Sequence, residues 1–403
     1  MKRRGLVLLL CGVLAACEVP RSPSVPRGSS AAEEPRNAET PRNASDLDAE
    51  NLLNLAFGAS VVSRTGELLL EQSAVQAIDG MSSTNWASPP GGPAQTMTFA
   101  LASPSNINEL GVTTIGSGPE IPAKVRFEVS TDGKSWREAG VLEPKGVPTP
   151  QLLGLTPAVQ ARYIRVSTIE DKDTFAQFRS VHAYGQPLAP PEPKSLAGCW
   201  TINGHQRAFF TQNGSRVTGI VEGEHPTILD GGTDGLVARL MWIRGPMWGY
   251  VAITQTPDRQ KLTALEFHQE PLIGNAGKAW FGERCSAATP AIPTDTAAAM
   301  LRRTQHWSMT DLDPATLDVA ASLIRNQPAQ NFRVVAYEFR DPDPAQNQKH
   351  TADRIAAMRA ALTKRGVDLN RIEFVANGSK VTDQEPVFAI QRLIYSRVDL
   401  QLR

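Results

Sequence analysis

The stretch VRFEVSTDGKSW, residues 125–136, has the pattern that decides the fold of the first part of the chain. Val125, Phe127 and Val129 alternate with charged residues, and the run ends in an Asp-Gly pair. Successive side chains of a β-strand point to opposite faces, so this alternation predicts a half-buried strand. An Asp-Gly pair after such a strand is a strong signal for a hairpin turn.

The flanking sequence extends the β pattern over residues 52–186, where RYIRV at 162–166 repeats the alternation. This segment resembles the discoidin domain, the coagulation-factor type C module, which has a jelly-roll, galactose-binding-like fold. The resemblance implies an all-β sandwich whose loops at one end bind glycans, lipid headgroups or protein partners. It rests on NLA (54–56), GAS (58–60), AIDG (77–80), Thr84, Trp86, VSTDGKSW (129–136), ARYIRV (161–166) and AYG (183–185), which occur in family order.

The AIDG turn is the predicted metal site of this segment. Many discoidin modules hold a structural calcium there, and the resemblance places Asp79 and Thr84 in the cation loop. Calcium takes about six to eight oxygen ligands, which carboxylates and turn carbonyls supply. The family often adds a glutamate before its closing strand, where this chain has Ser180. The alternative that Asp79 only caps its own turn therefore stays open.

Trp86 is the predicted ligand-loop residue of the same segment. An exposed indole at this position would stack on a sugar, whereas a buried indole would belong to the core. The sequence leaves both interpretations open.

The first residues have the pattern of an export signal. A basic KRR at 2–4 precedes an apolar run at 6–14 that is short for a membrane span. The run ends in LAAC, which resembles the lipobox of bacterial lipoproteins. The resemblance implies that residues 1–16 are removed, that Cys17 carries a lipid anchor in the membrane, and that Glu18 favours the outer membrane. The alternative is an ordinary secretory signal that contains a cysteine.

The remaining cysteines predict a disulfide. Cys11 leaves with the signal and Cys17 takes the lipid, so Cys199 and Cys285 are the pair left in the folded body. An oxidising periplasm favours a bond between them. The alternative is two free buried thiols.

Proline-rich and polar stretches divide the chain. Residues 17–51 contain few large apolar side chains, which predicts a disordered linker after the lipidated cysteine. PLAPPEPK and AATPAIPTDT predict two further linkers, at 187–195 and 286–297. Residues 196–285 show short alternating runs and Gly-rich turns, so we expect a small β-rich, barrel-like domain closed by the disulfide.

Residues 298–403 alternate helical and strand patterns, which predicts an α+β domain. One helix is predicted to begin at Asp313-Pro314 and a second near Ala345, with a stop at Gly366. The segment resembles the OmpA-like C-terminal domain, a periplasmic peptidoglycan-binding module. This resemblance rests on Asn347, Thr351, Arg354, the stretches 365–367 and 371–372, and SRVD at 396–399.

The OmpA-like family grips the diaminopimelate of the peptidoglycan stem with an arginine and an aspartate. The resemblance places Arg354 on the ligand carboxylate, with Asn347 and Arg397 in the same site. This division of roles makes physical sense, because a guanidinium clamps a carboxylate through two parallel hydrogen bonds.

The acid half of this site is altered. Phe339 occupies the position of the family's aspartate. Glu338, Asp341 or Asp343 would replace it if the loop were displaced, although strand alternation can equally point Glu338 away. Retained wall binding and a role as a protein-docking scaffold both stay open.

Composition and motifs exclude several function classes. Lys and Arg total 41 and Asp and Glu total 41, so no charge excess predicts nucleic-acid binding. The chain has no GxSxG, HExxH, P-loop or dinucleotide motif. We expect a non-catalytic outer-membrane lipoprotein, facing the periplasm, that binds envelope or extracellular ligands and contacts peptidoglycan. The alternative is a glycan-processing envelope enzyme with the discoidin-like segment as its targeting module.

Overall fold

The computed structural model describes residues 51–90, 94–116, 118, 120–169, 175–269, 277–380 and 388–403. The predicted signal 1–16, Cys17 and the linker up to residue 50 lie outside these residues and stay predictions. The segment Asn43–Arg403 forms one compact unit. Within the described part of the chain, no helix combines the length and the apolarity that crossing a membrane requires.

A β-sandwich forms the first part of this unit and confirms the predicted all-β fold. Its main sheet has the order β1-β3-β6-β4-β5, with β8 paired to β3, and β2 pairs with β7. Val125, Phe127 and Val129 on β4 are buried, as the alternation predicts. The strands are β1 (Ser60–Arg64), β2 (Trp86–Ala87), β3 (Thr96–Thr113), β4 (Lys124–Ser130), β5 (Arg137–Leu142), β6 (Gln151–Ile169), β7 (Gln177–Phe178) and β8 (Ser180–Pro187).

The Asp-Gly turn lies between β4 and β5, where the sequence predicts it. Asp132 Oδ1 accepts hydrogen bonds from the N–H groups of Lys134 and Ser135, both at 2.8 Å. These bonds lower the pKa of the Asp132 carboxyl. Gly133 has a φ of +73°, a left-handed conformation that glycine adopts without steric penalty.

A closed barrel forms the middle of the unit and confirms the predicted barrel-like domain. Each strand pairs antiparallel with the next, and the last strand pairs with the first. Trp200, Phe210 and Trp242 fill the interior, so the barrel has a packed core and not an open channel. The strands are β9 (Gly198–Ile202), β10 (Gln206–Asn213), β11 (Arg216–Val221), β12 (Thr227–Thr233), β13 (Ala238–Arg244), β14 (Met247–Gln255), β15 (Lys261–His268) and β16 (Lys278–Cys285).

The predicted disulfide is confirmed. Cys199 on β9 and Cys285 on β16 are directly opposite each other in the register of the closing strand pair, with Cα atoms 5.1 Å apart. The bond therefore crosses the seam at which the barrel closes.

Helices packed on a four-stranded sheet form the last part. The sheet order is β17-β20-β18-β19, and β18 and β19 run parallel. Asp313 begins α2 by accepting a hydrogen bond from the Thr316 N–H at 2.7 Å, as a helix cap does. The elements are α1 (Thr296–Thr304), β17 (His306–Met309), α2 (Pro314–Arg325), β18 (Phe332–Ala336), α3 (Pro344–Lys364), β19 (Ile372–Ala376), α4 (Ala389–Tyr395) and β20 (Val398–Leu402).

Both Pro-rich stretches, predicted as linkers, contain a residue that is buried against the barrel. Lys194, within 187–195, is buried, and its ammonium donates to the Gln255 carbonyl at 2.6 Å. At 286–297, helix α1 already begins at Thr296, which is fully buried. Composition alone missed this because the partners of both residues lie on the barrel.

A buried carboxylate joins the barrel to the C-terminal part. Asp230 on β12 accepts hydrogen bonds from Arg216 Nη2 at 2.6 Å, from the Trp307 indole N–H at 3.2 Å and from the Thr296 hydroxyl. Burial raises the pKa of Asp230, and the Arg216 charge acts against that increase. Arg239 on β13 adds two hydrogen bonds, at 3.1 and 3.2 Å, to carbonyls at the end of α4.

Removing the disulfide should destabilise the protein strongly. The bond closes a loop of 86 residues, and Cys199→Ser with Cys285→Ser should therefore lower the free energy of unfolding by about 4 kcal/mol through loop entropy. Urea unfolding followed by tryptophan fluorescence measures the change. Reductant should lower the wild-type midpoint to that of the double variant and leave the variant unchanged. Equal midpoints for oxidised and reduced wild type would contradict this role.

Candidate functional site

Arg354 lies on the face of α3 that packs on the sheet. Its Nη2 donates to the Thr310 carbonyl at 3.0 Å and its Nη1 to the Tyr337 carbonyl at 3.3 Å. Glu338 Oε2 lies 3.7 Å from Nη1, and one fifth of the Arg354 side chain is exposed. Burial lowers the pKa of Arg354, and the Glu338 charge opposes this shift.

Asn347 positions the loop before α3 and does not face an open site. It is buried, its Nδ2 donates to the Asp341 carbonyl at 2.8 Å, and its Oδ1 accepts from the Asp341 N–H at 3.2 Å. Thr351, one turn further along the helix, accepts from the Gly378 N–H at 3.2 Å. These contacts fix the start of α3 on the sheet, so Arg354 has a defined position.

The carboxylate next to Arg354 belongs to Glu338, and it is already paired with a second arginine. Its two oxygens accept from Arg340 Nε and Nη2, both at 2.8 Å, which is a bidentate pair. Burial acts to raise the pKa of Glu338, but hydrogen bonds from Arg340 and Ser396 and the charges of Arg340 and Arg354 outweigh it. They hold the pKa at about 2, against an ordinary 4.5.

Phe339, at the family's aspartate position, belongs to a small apolar cluster. Its ring packs against Tyr395 with centroids 5.8 Å apart, and its N–H donates to the Ser396 hydroxyl at 3.1 Å. Asp343 begins α3 by accepting from the Ala345 N–H. The carboxylate beside Arg354 therefore comes from Glu338, one residue before the expected position.

Arg397, the third residue assigned to the peptidoglycan site, is buried between the C-terminal sheet and the barrel. Arg397 is 3% exposed, its Nε donates to Asp399 Oδ1 at 3.0 Å, and its guanidinium lies 4.7 Å from the ring centroid of Tyr250 on the barrel. Tyr250 of the barrel covers the Arg397 guanidinium, so this arrangement gives the peptidoglycan prediction for Arg397 no support. The sequence analysis did not predict that Arg340 pairs with Glu338. The separation of only two residues between them was the signal that could have indicated this pair.

The AIDG turn of the sandwich forms a closed polar cluster. Asp79 is fully buried and accepts a hydrogen bond from the Met81 N–H at 2.8 Å. The Thr84 hydroxyl donates to the Asp79 carboxylate, 3.0 and 2.9 Å from its two oxygens. Gly80 has a φ of +72°, which gives the turn its sharp bend.

This geometry fits turn capping and not the usual calcium ligand set. Calcium requires about six to eight oxygens. Throughout the described residues, no group of three or more His, Cys, Asp or Glu side chains is arranged to hold a metal ion. Ser180, at the position of the family's glutamate, brings no carboxylate. The calcium prediction at Asp79 and Thr84 therefore gains no support from these side chains.

Trp86 is buried in the core, which favours the core interpretation over the ligand-stacking one. It is 0% exposed, and it stacks on Phe178 with ring centroids 5.4 Å apart at an interplanar angle of 18°. The two residues face each other across the β2–β7 pair. The β2–β7 pair thus buries the rings of Trp86 and Phe178 in the core of the sandwich.

The sandwich is the part of the chain for which the comparison with known families finds a match. Residues 60–180 match the F5/8 type C domain. No curated protein matches the chain.

Several solved structures resemble this F5/8 type C domain. The C-terminal domain of a chitobiase from Bacteroides fragilis has 22% identity and a TM-score of 0.31, over 33% of this chain and 96% of that chain. A family 32 carbohydrate-binding module of a family 31 glycoside hydrolase from Clostridium perfringens has 16% identity and a TM-score of 0.31, over 36% and 99%. A family 32 module from Clostridium perfringens in complex with galactose has 16% identity and a TM-score of 0.28, over 31% and 98%.

Acid should destabilise the wild type through Glu338. Its folded pKa of about 2 is below 4.5, so its contribution to stability is present above pH 4.5 and is lost as the pH falls through about 2. Glu338→Gln should lower the free energy of unfolding near neutral pH by about 3 kcal/mol, because two arginines lose their buried partner. Urea midpoints measured from pH 7 to pH 2 should converge for the two proteins.

The matched control is Asp353→Asn, which removes an exposed carboxylate from helix α3, next to Arg354 in the sequence. Asp353 pairs with Lys349 at 3.0 Å with both side chains about two thirds exposed, so its removal should change stability little at any pH. A Glu338→Gln deficit that stays constant down to pH 2 would show that the carboxylate charge is not the cause.

Proposed function

We propose that this chain is a non-catalytic, ligand-binding protein of the bacterial envelope whose F5/8 type C domain takes a glycan at its loop end. The observation that carries the proposal is the match of residues 60–180 with the F5/8 type C domain. The discoidin resemblance implies binding through loops at one end of the sandwich.

The barrel covers one edge of the F5/8 type C domain, which limits where a ligand binds. The Val61 N–H donates to Thr263 Oγ1 at 2.9 Å, and the Thr254 hydroxyl donates to the Ala59 carbonyl at 2.9 Å. The Lys261 ammonium donates to the Val62 carbonyl at 2.9 Å. The edge strand β1 is thus occupied, and the loops away from it are the accessible surface.

Two of these loops meet at Val147. The Thr114 hydroxyl, after β3, donates to the Val147 carbonyl between β5 and β6 at 3.0 Å. The Val147 side chain is 41% exposed, although it is apolar. An exposed apolar side chain on a fixed loop suits the face of a sugar ring, so we place the ligand there.

A charge at this loop should abolish glycan binding. Val147→Asp should weaken binding of the purified chain to its glycan at least tenfold on a glycan array, because the carboxylate would require desolvation in the complex. Val141→Asp is the matched control, since Val141 is 38% exposed but belongs to strand β5 and not to the loop itself. Equal binding by both variants would exclude this loop as the site.

The proposal places the chain on the outer membrane through a lipid on Cys17, facing the periplasm. LAAC at 14–17 supports the lipid, and the Cys199–Cys285 bond supports an oxidising compartment. Two lipid chains or more on one residue anchor a protein stably.

Peptidoglycan contact by the C-terminal part is a second candidate function. Arg354 is held in place by two carbonyls and one fifth of its side chain is exposed, which favours pairing with a ligand carboxylate. Glu338 already pairs with Arg340, so an ammonium group on the ligand would have to compete with Arg340. We therefore propose weaker wall binding than in a site with a free aspartate.

Co-sedimentation of the purified chain with peptidoglycan sacculi tests this candidate. Arg354→Ala should reduce the bound fraction at least fivefold, because it removes the carboxylate clamp. Arg359→Ala is the control, since Arg359 lies on the same helix but packs 4.6 Å from the Phe374 ring centroid. Absence of binding by the wild type would make the C-terminal part a docking scaffold.

The number of acidic residues in the pocket at one end of the barrel favours the non-catalytic proposal over a glycan-processing enzyme. Glycosidases generally place two carboxylates across one cleft. The pocket at one end of the barrel is lined by a single acidic residue, Glu266, among the described residues. We therefore propose binding, and not hydrolysis, for this part of the chain.

A further inference from the structure

One end of the barrel contains a pocket of about 120 Å³. On this measure a buried water needs about 10–15 Å³, so the pocket has room for on the order of ten water-sized groups. Barrel strands and the turn before β10 form its wall, and the F5/8 type C domain contributes Leu70. The space suits a small molecule, and mouths of eight-stranded barrels are a common place for one.

A buried carboxylate organises the pocket. Glu266 is 4% exposed, and its Oε1 accepts from Arg244 Nη2 at 2.7 Å. Its Oε2 accepts from the Trp280 indole N–H at 2.6 Å. Each oxygen thus accepts a hydrogen bond from another side chain, and Glu266 orients the Arg244 guanidinium.

The pocket has more positive than negative charge. Arg244 uses one of its N–H donors on Glu266, and about a third of its side chain (32%) is exposed. Lys278, which is exposed, lines the same space. Two permanent cations thus face one paired carboxylate, and this excess favours a ligand that is an anion.

We propose that this pocket binds a small organic carboxylate that carries hydroxyl groups, that is, a sugar acid. Arg244 and Lys278 pair with the carboxylate, and a guanidinium does so through directed hydrogen bonds. His205 and Gln206 lie on the wall and accept or donate to hydroxyls. The apolar part of the wall packs against the carbon skeleton and comes from Ile202, Val221 and Trp280.

Calorimetric titration of the purified full chain with glucuronate tests the proposal, with glucose as the neutral counterpart. We expect saturable glucuronate binding and at least tenfold weaker binding of glucose. Arg244→Gln combined with Glu266→Gln removes the ion pair without leaving one buried charge alone, and it should weaken glucuronate binding at least tenfold. Lys278→Gln changes an exposed residue and should weaken it about threefold.

The matched control is Arg207→Gln. Arg207 pairs with Glu222 at 2.8 Å on the exposed exterior of the barrel, so this variant has the same change in charge as Lys278→Gln outside the pocket. Its affinity for glucuronate should equal that of the wild type. Circular dichroism shows whether the double variant folds. If it does not fold, the glucuronate affinities of Lys278→Gln and Arg207→Gln decide whether the pocket is the binding site.

Three results would overturn the proposal. The first is no saturable binding of glucuronate by the wild type. The second is an equal affinity of Lys278→Gln and Arg207→Gln. The third is loss of glucuronate binding in Val147→Asp with no effect of the pocket variants, which would place the sugar acid on the F5/8 type C loops.

Discussion

Closure of the barrel between β16 and β9 is the constraint on which the rest of the described structure depends. An open sheet has two edges whose backbone groups need partners, whereas a closed sheet interacts with its neighbours through side chains. Asp230 and Arg239 on neighbouring strands hold the C-terminal part, and Thr263 on β15 holds the edge of the F5/8 type C domain. Both neighbours are therefore positioned by one rigid body.

The sequence predicts those features whose signals are local. The alternation at Val125–Val129, the Asp-Gly turn and the Asp313 cap each lie within a few residues, and each forms where predicted. The contacts between the parts have no such signal. Asp230 is separated by 66 residues from Thr296 and by 77 from Trp307, so only the folded chain shows that these side chains meet.

The candidate site also contains one part that local sequence spacing predicts and one part that only the folded chain shows. Helical spacing alone places Arg354 on the inner face of α3. The acid partner depends on where β18 ends, and β18 ends at Ala336, two residues before Glu338. Strand alternation no longer applies there, so the loop turns the Glu338 carboxylate toward Arg354 and Arg340. The burial of Arg397 likewise depends on Tyr250, which belongs to another part of the chain.

The position of the disulfide has a mechanical consequence. The chain enters the barrel at β9, which begins at Gly198, and leaves it at β16, which ends at Cys285. A pull on the backbone between the N-terminal side and the C-terminal side of the barrel reaches Cys199 within one residue of entry and passes through the sulfur atoms to Cys285. The eighty-six-residue loop between them is bypassed by the force, so the barrel keeps its hydrogen bonds while the covalent bond carries the load.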